Sequence, residues 1–283
     1  MKAKSQYTSA ETNACLSVIV ELITYLHKYS QHLVLIGGWV PYFLYNDCKT
    51  EKINHVGSLD VDLALNFLLI PEQDYQTIAD LLYERGYQSR KDRKGKIIQA
   101  SYERTFFDKD DINQTVQVDF LAAEYGGSGK KKRHQKIQEI LARKGRGIDL
   151  VFDDYVEREI EARIPNGAVN KVNINVANLC SIIASKGFAF YERGSEKDAY
   201  DIYWLFKNHP KGDKGIIQEL SKMKHNKLVS ESLGFIKERF KNLDYLGPVA
   251  VSDFLEPVDD EEREILIRDA YETINRIMNY LQI

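Results

Sequence analysis

The segment Asp60-Val61-Asp62-Leu63-Ala64-Leu65 does most to limit the folds open to this chain. Its side chains follow the two-residue period of a β-strand, so Asp60 and Asp62 share one face while Val61, Leu63 and Leu65 share the other. One face of the strand must pack on a core, and the other must carry two carboxylates side by side. Like charges so placed repel in the absence of a cation, which makes the pair a poor choice for stability alone.

The neighbouring segments supply partners for this strand. Apolar residues from Cys15 to Leu26 recur at helical spacing, predicting an amphipathic helix over about 11–29 with Ser9 or Thr12 as its cap. A short apolar strand, His32 to Ile36, runs into Gly37-Gly38, and a brief helix follows from near Pro41 to Tyr45. After a polar loop over 46–57 and the Asp-x-Asp strand, Pro71 opens a helix that Gly86 stops. Residues 97–107 and 114–121 read as an antiparallel hairpin, and on its second strand Val116, Val118 and Phe120 leave Gln117, Asp119 and Leu121 on the opposite face. Asp119 can thus join Asp60 and Asp62.

At Gly126-Gly127-Ser128-Gly129 the composition shifts to that of a linker, which divides the chain into a first domain, 1–125, and a second, 126–283. The second is expected to be mainly helical, over 176–191, 196–206 and several later segments. A small β element made of 156–164 and 171–175 turns at Pro165-Asn166-Gly167. The fold class is α+β.

Charge narrows the function. A net charge of −3 on 283 residues excludes a polycation that coats nucleic acid along its length. The basic footprint is local: 130–146 holds eight basic residues against one acidic, Glu139, and begins with Lys130, Lys131, Lys132 and Arg133, candidate contacts for RNA phosphates. Cys15, Cys48 and Cys180 form no C-x-x-C pair, and the six histidines, His55 among them, show no ligand spacing, so neither a disulfide framework nor a zinc site is expected. No run of about 18 apolar residues occurs, so no membrane span is expected, and a cytoplasmic location fits.

Carboxylates converging from two strands suit a hard, oxygen-preferring ion such as magnesium or manganese, and two such ions can bind the attacking and leaving oxygens of a phosphoryl-type transfer. Gly37 and Gly38, between a strand and a helix start, let backbone N–H groups approach phosphate oxygens, and Ser58 could add a hydroxyl. Together these point to moving a nucleoside monophosphate group from a nucleoside triphosphate to a hydroxyl. Taken alone, Lys186 is a helix lysine of the kind that snorkels to the surface, and Asp198 and Asp201 lie where carboxylates complement a helix dipole.

A glycine pair, then Asp60-x-Asp62, then Asp119 on a later strand resembles the DNA polymerase beta-like nucleotidyltransferase superfamily, which implies a mixed sheet with flanking helices. Over about 30–206, the stretches Leu35-Ile36-Gly37-Gly38, Gly57-Ser58-Leu59-Asp60-Val61-Asp62, Lys186 and Lys197-Asp198-Ala199-Tyr200-Asp201 resemble the AbiEii/AbiGii class of abortive-infection and toxin–antitoxin nucleotidyltransferases. That resemblance implies Lys186 as a triphosphate contact and Asp198 and Asp201 as the acidic motif beside it. It also implies a toxin that nucleotidylates RNA, such as a tRNA acceptor end, and a cognate antitoxin; a monomer or weak oligomer is expected. The chain departs from the class in carrying His55-Val56-Gly57 where an Arg often precedes the Asp-x-Asp, and Trp39 where a small polar residue often follows the glycines. Rival readings are a transferase acting on a protein or on a small molecule such as an antibiotic, a metal-dependent nuclease, and a non-catalytic nucleotide- or RNA-binding regulator.

Overall fold

A computed structural model describes residues 3–46, 54–66, 78–123, 134–137 and 140–283, with side chains described for these apart from 99–100 and 122–144. In chain order the elements are α1 (Ser9–Tyr25), β1 (Leu33–Ile36), α2 (Val40–Tyr45), β2 (Asp60–Leu65), α3 (Ile78–Glu84), β3 (Tyr87–Lys91), β4 (Ile97–Phe107), β5 (Asn113–Ala123), β6 (His134–Ile137), β7 (Ile140–Gly145), β8 (Tyr155–Arg163), β9 (Val169–Ala177), α4 (Leu179–Arg193), α5 (Glu196–Lys207), α6 (Gly212–Met223), α7 (Lys227–Arg239), α8 (Leu246–Leu255) and α9 (Asp260–Leu281). They form two compact units. One comprises Thr8–Trp39 and Ser58–Ala177; the other comprises Met1–Tyr7, Val40–Gly57 and Asn178–Ile283.

The first unit is a mixed sheet ordered β3-β4-β5-β2-β1-β9-β8, with β7 beside β5 and β6 beside β7. The Asp-x-Asp strand is central: β1 runs antiparallel to it on one side and β5 parallel to it on the other. Val61, Leu63, Val118 and Phe120 are fully buried, as the alternation predicts. The helix α1 lies along β2, β5, β8 and β9 and contributes Val18, Ile19, Leu22 and Ile23 to the same core. It begins one residue earlier than Ser9 would dictate as a cap: Thr8 and Glu11 form a reciprocal capping box, worth about 1 kcal/mol. Glu21, buried on that helix, accepts from Tyr87 Oη at 2.7 Å and Arg104 Nε at 3.2 Å, so its charge is paired.

The β8–β9 hairpin corrects one expectation. It does not stand as a β element of a helical domain; Val176 pairs in parallel with Leu35, and the hairpin extends the same sheet that carries Asp60 and Asp62. The expected boundary near 125 falls outside the described residues, as do the 46–57 loop over 47–53 and the expected start of a helix at Pro71. The strands β3, β6 and β7 are additions to the pattern expected from the sequence.

The second unit is helical. α4 is capped by Asn178, whose side chain accepts from Ser181 N at 2.9 Å, and ends at Gly194 in the left-handed conformation. Gly187 lets α4 approach α7 closely, because a Cβ there would lie 1.9 Å from Ser232 Oγ. α5 is buried almost all round, from Asp198 to Phe206, as a helix at the centre of a bundle is. Among the described residues no helix is long and apolar enough to cross a membrane.

Candidate active site

Sheet register gathers the predicted residues of the first unit. Ile36 pairs with Asp62, Asp62 with Asp119, and Asp119 with Ser101, so one row across β1, β2, β5 and β4 presents Asp62, Asp119 and Ser101 on a single face. Asp60 stands in the next row, opposite Gln117. Asp60, Asp62 and Asp119 are all partly exposed while the residues between them are buried.

Gly37 follows Ile36 and turns the chain with φ of +72°, and a Cβ there would sit 2.2 Å from Asp62 Oδ2. Only glycine fits on both counts. Gly38 is buried behind it. Trp39 is fully buried and donates from Nε1 to the Asp60 carbonyl at 2.9 Å, tying the turn to the Asp-x-Asp strand. A small polar residue could not make that tie, which accounts for the departure at this position.

Hydrogen bonds hold two of the carboxylates. Ser58 Oγ donates to Asp60 Oδ1 at 2.5 Å, and Gln117 Nε2 donates to Asp119 Oδ2 at 2.9 Å. Ser58 is itself buried, so its hydroxyl serves Asp60 before any phosphate. The other oxygen of Asp119, Oδ1, is buried without a hydrogen-bond partner, and a buried carboxylate oxygen left unpaired calls for a cation or a proton donor. Among the described residues no three carboxylate, imidazole or thiolate side chains already converge on one point. The donor chemistry of Asp60, Asp62 and Asp119 suits a divalent ion completed by phosphate oxygens and water rather than a closed protein cage.

The second unit contains a different cluster. Lys186 Nζ lies 2.8 Å from Asp198 Oδ1 and 2.7 Å from Asp201 Oδ2. Arg193 Nε reaches Asp198 Oδ2 at 2.6 Å, and Lys197 also pairs with Asp201. Both aspartates are fully buried and Lys186 nearly so. Burial alone would depress the Lys186 ammonium, but the charges of Asp198 and Asp201 outweigh it and hold it protonated well above the ordinary lysine range. Burial would likewise raise Asp201, and Lys186 and Lys197 reverse that, keeping it ionised far below the usual carboxylate range.

His55 completes this cluster, although its place in the sequence suggests no chemistry for it. Its Nδ1 accepts from Gly57 N–H at 3.1 Å, so the ring proton is on Nε2, which donates to Asp201 Oδ1 at 2.9 Å. The ring stacks on Tyr200, with centroids 5.2 Å apart, and meets the edge of Trp204. Burial and then the Lys197 charge push its pKa down to about 4, so the imidazole is neutral. Lys186 and Arg193 stand as cations against Asp198 and Asp201, while burial pushes the Lys197 ammonium down from the ordinary lysine range.

The predicted residues thus fall into two groups. Gly37, Gly38, Ser58, Asp60, Asp62 and Asp119 come together in the first unit, and Lys186, Asp198 and Asp201 in the second. Lys186 does not snorkel outward as the bare sequence implies; it turns inward between two carboxylates. Lys130, Lys131, Lys132 and Arg133 lie outside the described residues.

A solved structure described as an antigenic nucleotidyltransferase-like protein from Paracoccidioides brasiliensis aligns at 14% identity and a TM-score of 0.46, covering 88% of this chain and 96% of that one. No curated protein matches the sequence. A family model described as "Nucleotidyl transferase AbiEii toxin, Type IV TA system" matches residues 26–275, nearly the whole chain, and so spans both groups of predicted residues. The chain belongs to the AbiEii family of nucleotidyltransferase toxins.

Proposed function

We propose that this protein transfers a nucleoside monophosphate group from a nucleoside triphosphate to a hydroxyl of RNA, such as a tRNA acceptor end, and so acts as the toxin of a type IV toxin–antitoxin pair. The observation that carries this reading is the register of Asp62 against Asp119, with the Gly37 turn packed on Asp62. Asp60, Asp62 and Asp119 would hold magnesium or manganese, which supplies neutralisation of triphosphate charge. The glycine turn at Gly37 and Gly38, which adds no side chain of its own, would let backbone N–H groups approach a phosphate oxygen. Asp119 would accept the proton of the acceptor hydroxyl as the hydroxyl oxygen bonds to the α-phosphorus and the bond from that phosphorus to pyrophosphate breaks. Lys186, hydrogen-bonded to Asp198 and ion-paired with Asp201, would lend its remaining donor capacity and its charge to a triphosphate oxygen. Asp198 and Asp201, fully buried, act by holding that lysine charged and in place.

The test is transfer of label from each α-labelled nucleoside triphosphate to total RNA and total protein, comparing the wild type with an Asp60→Ala, Asp62→Ala double variant. Label in RNA with the wild type alone is expected. Label in protein would replace the acceptor, and no transfer with either protein would overturn the reading.

A further inference from the structure

A second basic segment, shorter than the one at 130–146, lies beside the carboxylate row. From Arg90 to Lys96 the chain holds five basic residues, Arg90, Lys91, Arg93, Lys94 and Lys96, against one acidic, Asp92, a net of +4 in seven residues. The segment spans the end of β3, the turn and the approach to β4, and 91–96 are exposed. Asp92 offsets one of these charges and also builds the turn: its Oδ1 accepts from Lys94 N at 2.8 Å and Lys96 N at 2.9 Å. Gly95, with φ of +78°, closes it.

Register ties this turn to the carboxylates. Ser89 pairs with Tyr102 and Ser101 with Asp119, so Arg90, next along β3, faces the carboxylate side of the sheet. The pairing of β3 with β4 is irregular between Ser89 and Lys91, and irregularities of this kind re-aim a side chain. Arg90 Nη1 donates to Ser101 Oγ at 3.0 Å, and Ser101 is the cross-strand partner of Asp119. The guanidinium has five N–H donors, so one bond to Ser101 leaves a fork free for phosphate oxygens.

We propose that the β3–β4 hairpin is the docking surface for the acceptor, and that the acceptor is single-stranded RNA. Lys91, Arg93, Lys94 and Lys96 grip its phosphodiester backbone, and Arg90 holds the phosphate nearest Asp119. A dense run of exposed cations at the end of a two-stranded ribbon, joined through Arg90 and Ser101 to the strand that carries Asp119, suits a polyanion that must deliver a terminal hydroxyl there. What the strand is for rests on the transferase reading; where it binds does not.

The experiment measures binding of a short labelled single-stranded RNA to the full chain by fluorescence anisotropy across a salt series. It compares the wild type with K91Q/R93Q/K94Q/K96Q and with a charge-matched control, K222Q/K224Q/K227Q/K241Q, after confirming by thermal melting that each folds. We expect the hairpin variant to bind at least about tenfold more weakly, with a salt slope shallower by about 0.7 for each RNA phosphate that the variant no longer neutralises. R90Q should lower transfer to RNA while nucleoside triphosphate binding stays as in the wild type. Equal RNA affinity in hairpin variant and wild type, an equal weakening in the control, or tighter binding of polyglutamate than of RNA would overturn the proposal. RNA binding through the hairpin with no nucleotide transfer by the wild type would sink the transferase reading and leave the docking surface standing.

Discussion

Replacing Gly37 with alanine probes the glycine turn most sharply, because two separate costs meet at that residue. The backbone sits at φ of +72°, where an L side chain costs about 1–2 kcal/mol. The new Cβ would also lie 2.2 Å from Asp62 Oδ2, well inside contact distance, and relieving such overpacking typically costs about 1–3 kcal/mol. Together these lower stability by about 2–5 kcal/mol, or roughly 3–8 °C in Tm for a chain of this size. The larger effect falls on activity. Asp62 must swing its carboxylate away from the row it shares with Asp119, and a displacement of about 1 Å at a reacting centre costs on the order of 100-fold in rate. Gly212→Ala provides the reference, since φ there is +60° with nothing within 4 Å of the added methyl; it should show the backbone cost alone and normal transfer. Melting curves and initial rates of label transfer read both quantities. A Gly37→Ala protein with wild-type Tm and a rate within about twofold of wild type would refute the reasoning that this glycine makes room for Asp62.

Three further outcomes follow from the buried groups. Unfolded, His55 titrates near pH 6.5; buried and folded, it titrates near 4. The stability from its neutral ring is therefore fully present above pH 6.5 and is lost as pH falls toward 4, by about 3 kcal/mol. The slope of Tm against pH over that window should flatten in His55→Gln. Lys186→Met removes the cation between two buried carboxylates and should cost about 3–5 kcal/mol by urea denaturation, with part of the loss recovered when Asp201→Asn is added. Gly187→Ala forces a methyl to 1.9 Å from Ser232 Oγ and should lower stability by about 1–3 kcal/mol, less so in combination with Ser232→Ala.

What the sequence discloses is whatever a local period or a turn residue encodes. The alternation from Asp60 to Leu65 defines the strand to the residue, and the same logic places Asp119 on the correct face of β5. Gly37 is recognisable as a turn, although its reason for being glycine, the Asp62 carboxylate, is a contact across strands 25 residues apart. Pairings between distant segments are not legible. Nothing local in Val169–Ala177 indicates that Val176 will lie beside Leu35, so local pattern assigns the hairpin to the wrong body. Lys186 and His55 mislead for the same reason: a lysine or histidine reads as exposed until the carboxylates it pairs with are placed in space, and Asp201 is 146 residues from His55. A signal is present in that case, since His55 precedes Gly57-Ser58 and the Lys197 to Asp201 motif has a buried, aromatic-rich helix around it. The run from Arg90 to Lys96 is overshadowed in the sequence by the longer one at 130–146; it draws notice once Ser101 is seen to pair with Asp119.

The central claim is that the carboxylate row performs nucleotidyl transfer, and Asp119→Asn tests it with the least disturbance. The change keeps the size of the side chain and its contact with Gln117 while removing the charge and the buried acceptor at Oδ1. Transfer of α-labelled nucleotide to RNA is measured for both proteins, with and without a chelator. The account predicts transfer by the wild type that stops when divalent ions are removed, and a loss of about 100-fold or more in Asp119→Asn at unchanged Tm. Wild-type rates in the variant, or transfer that is indifferent to the chelator, would contradict it.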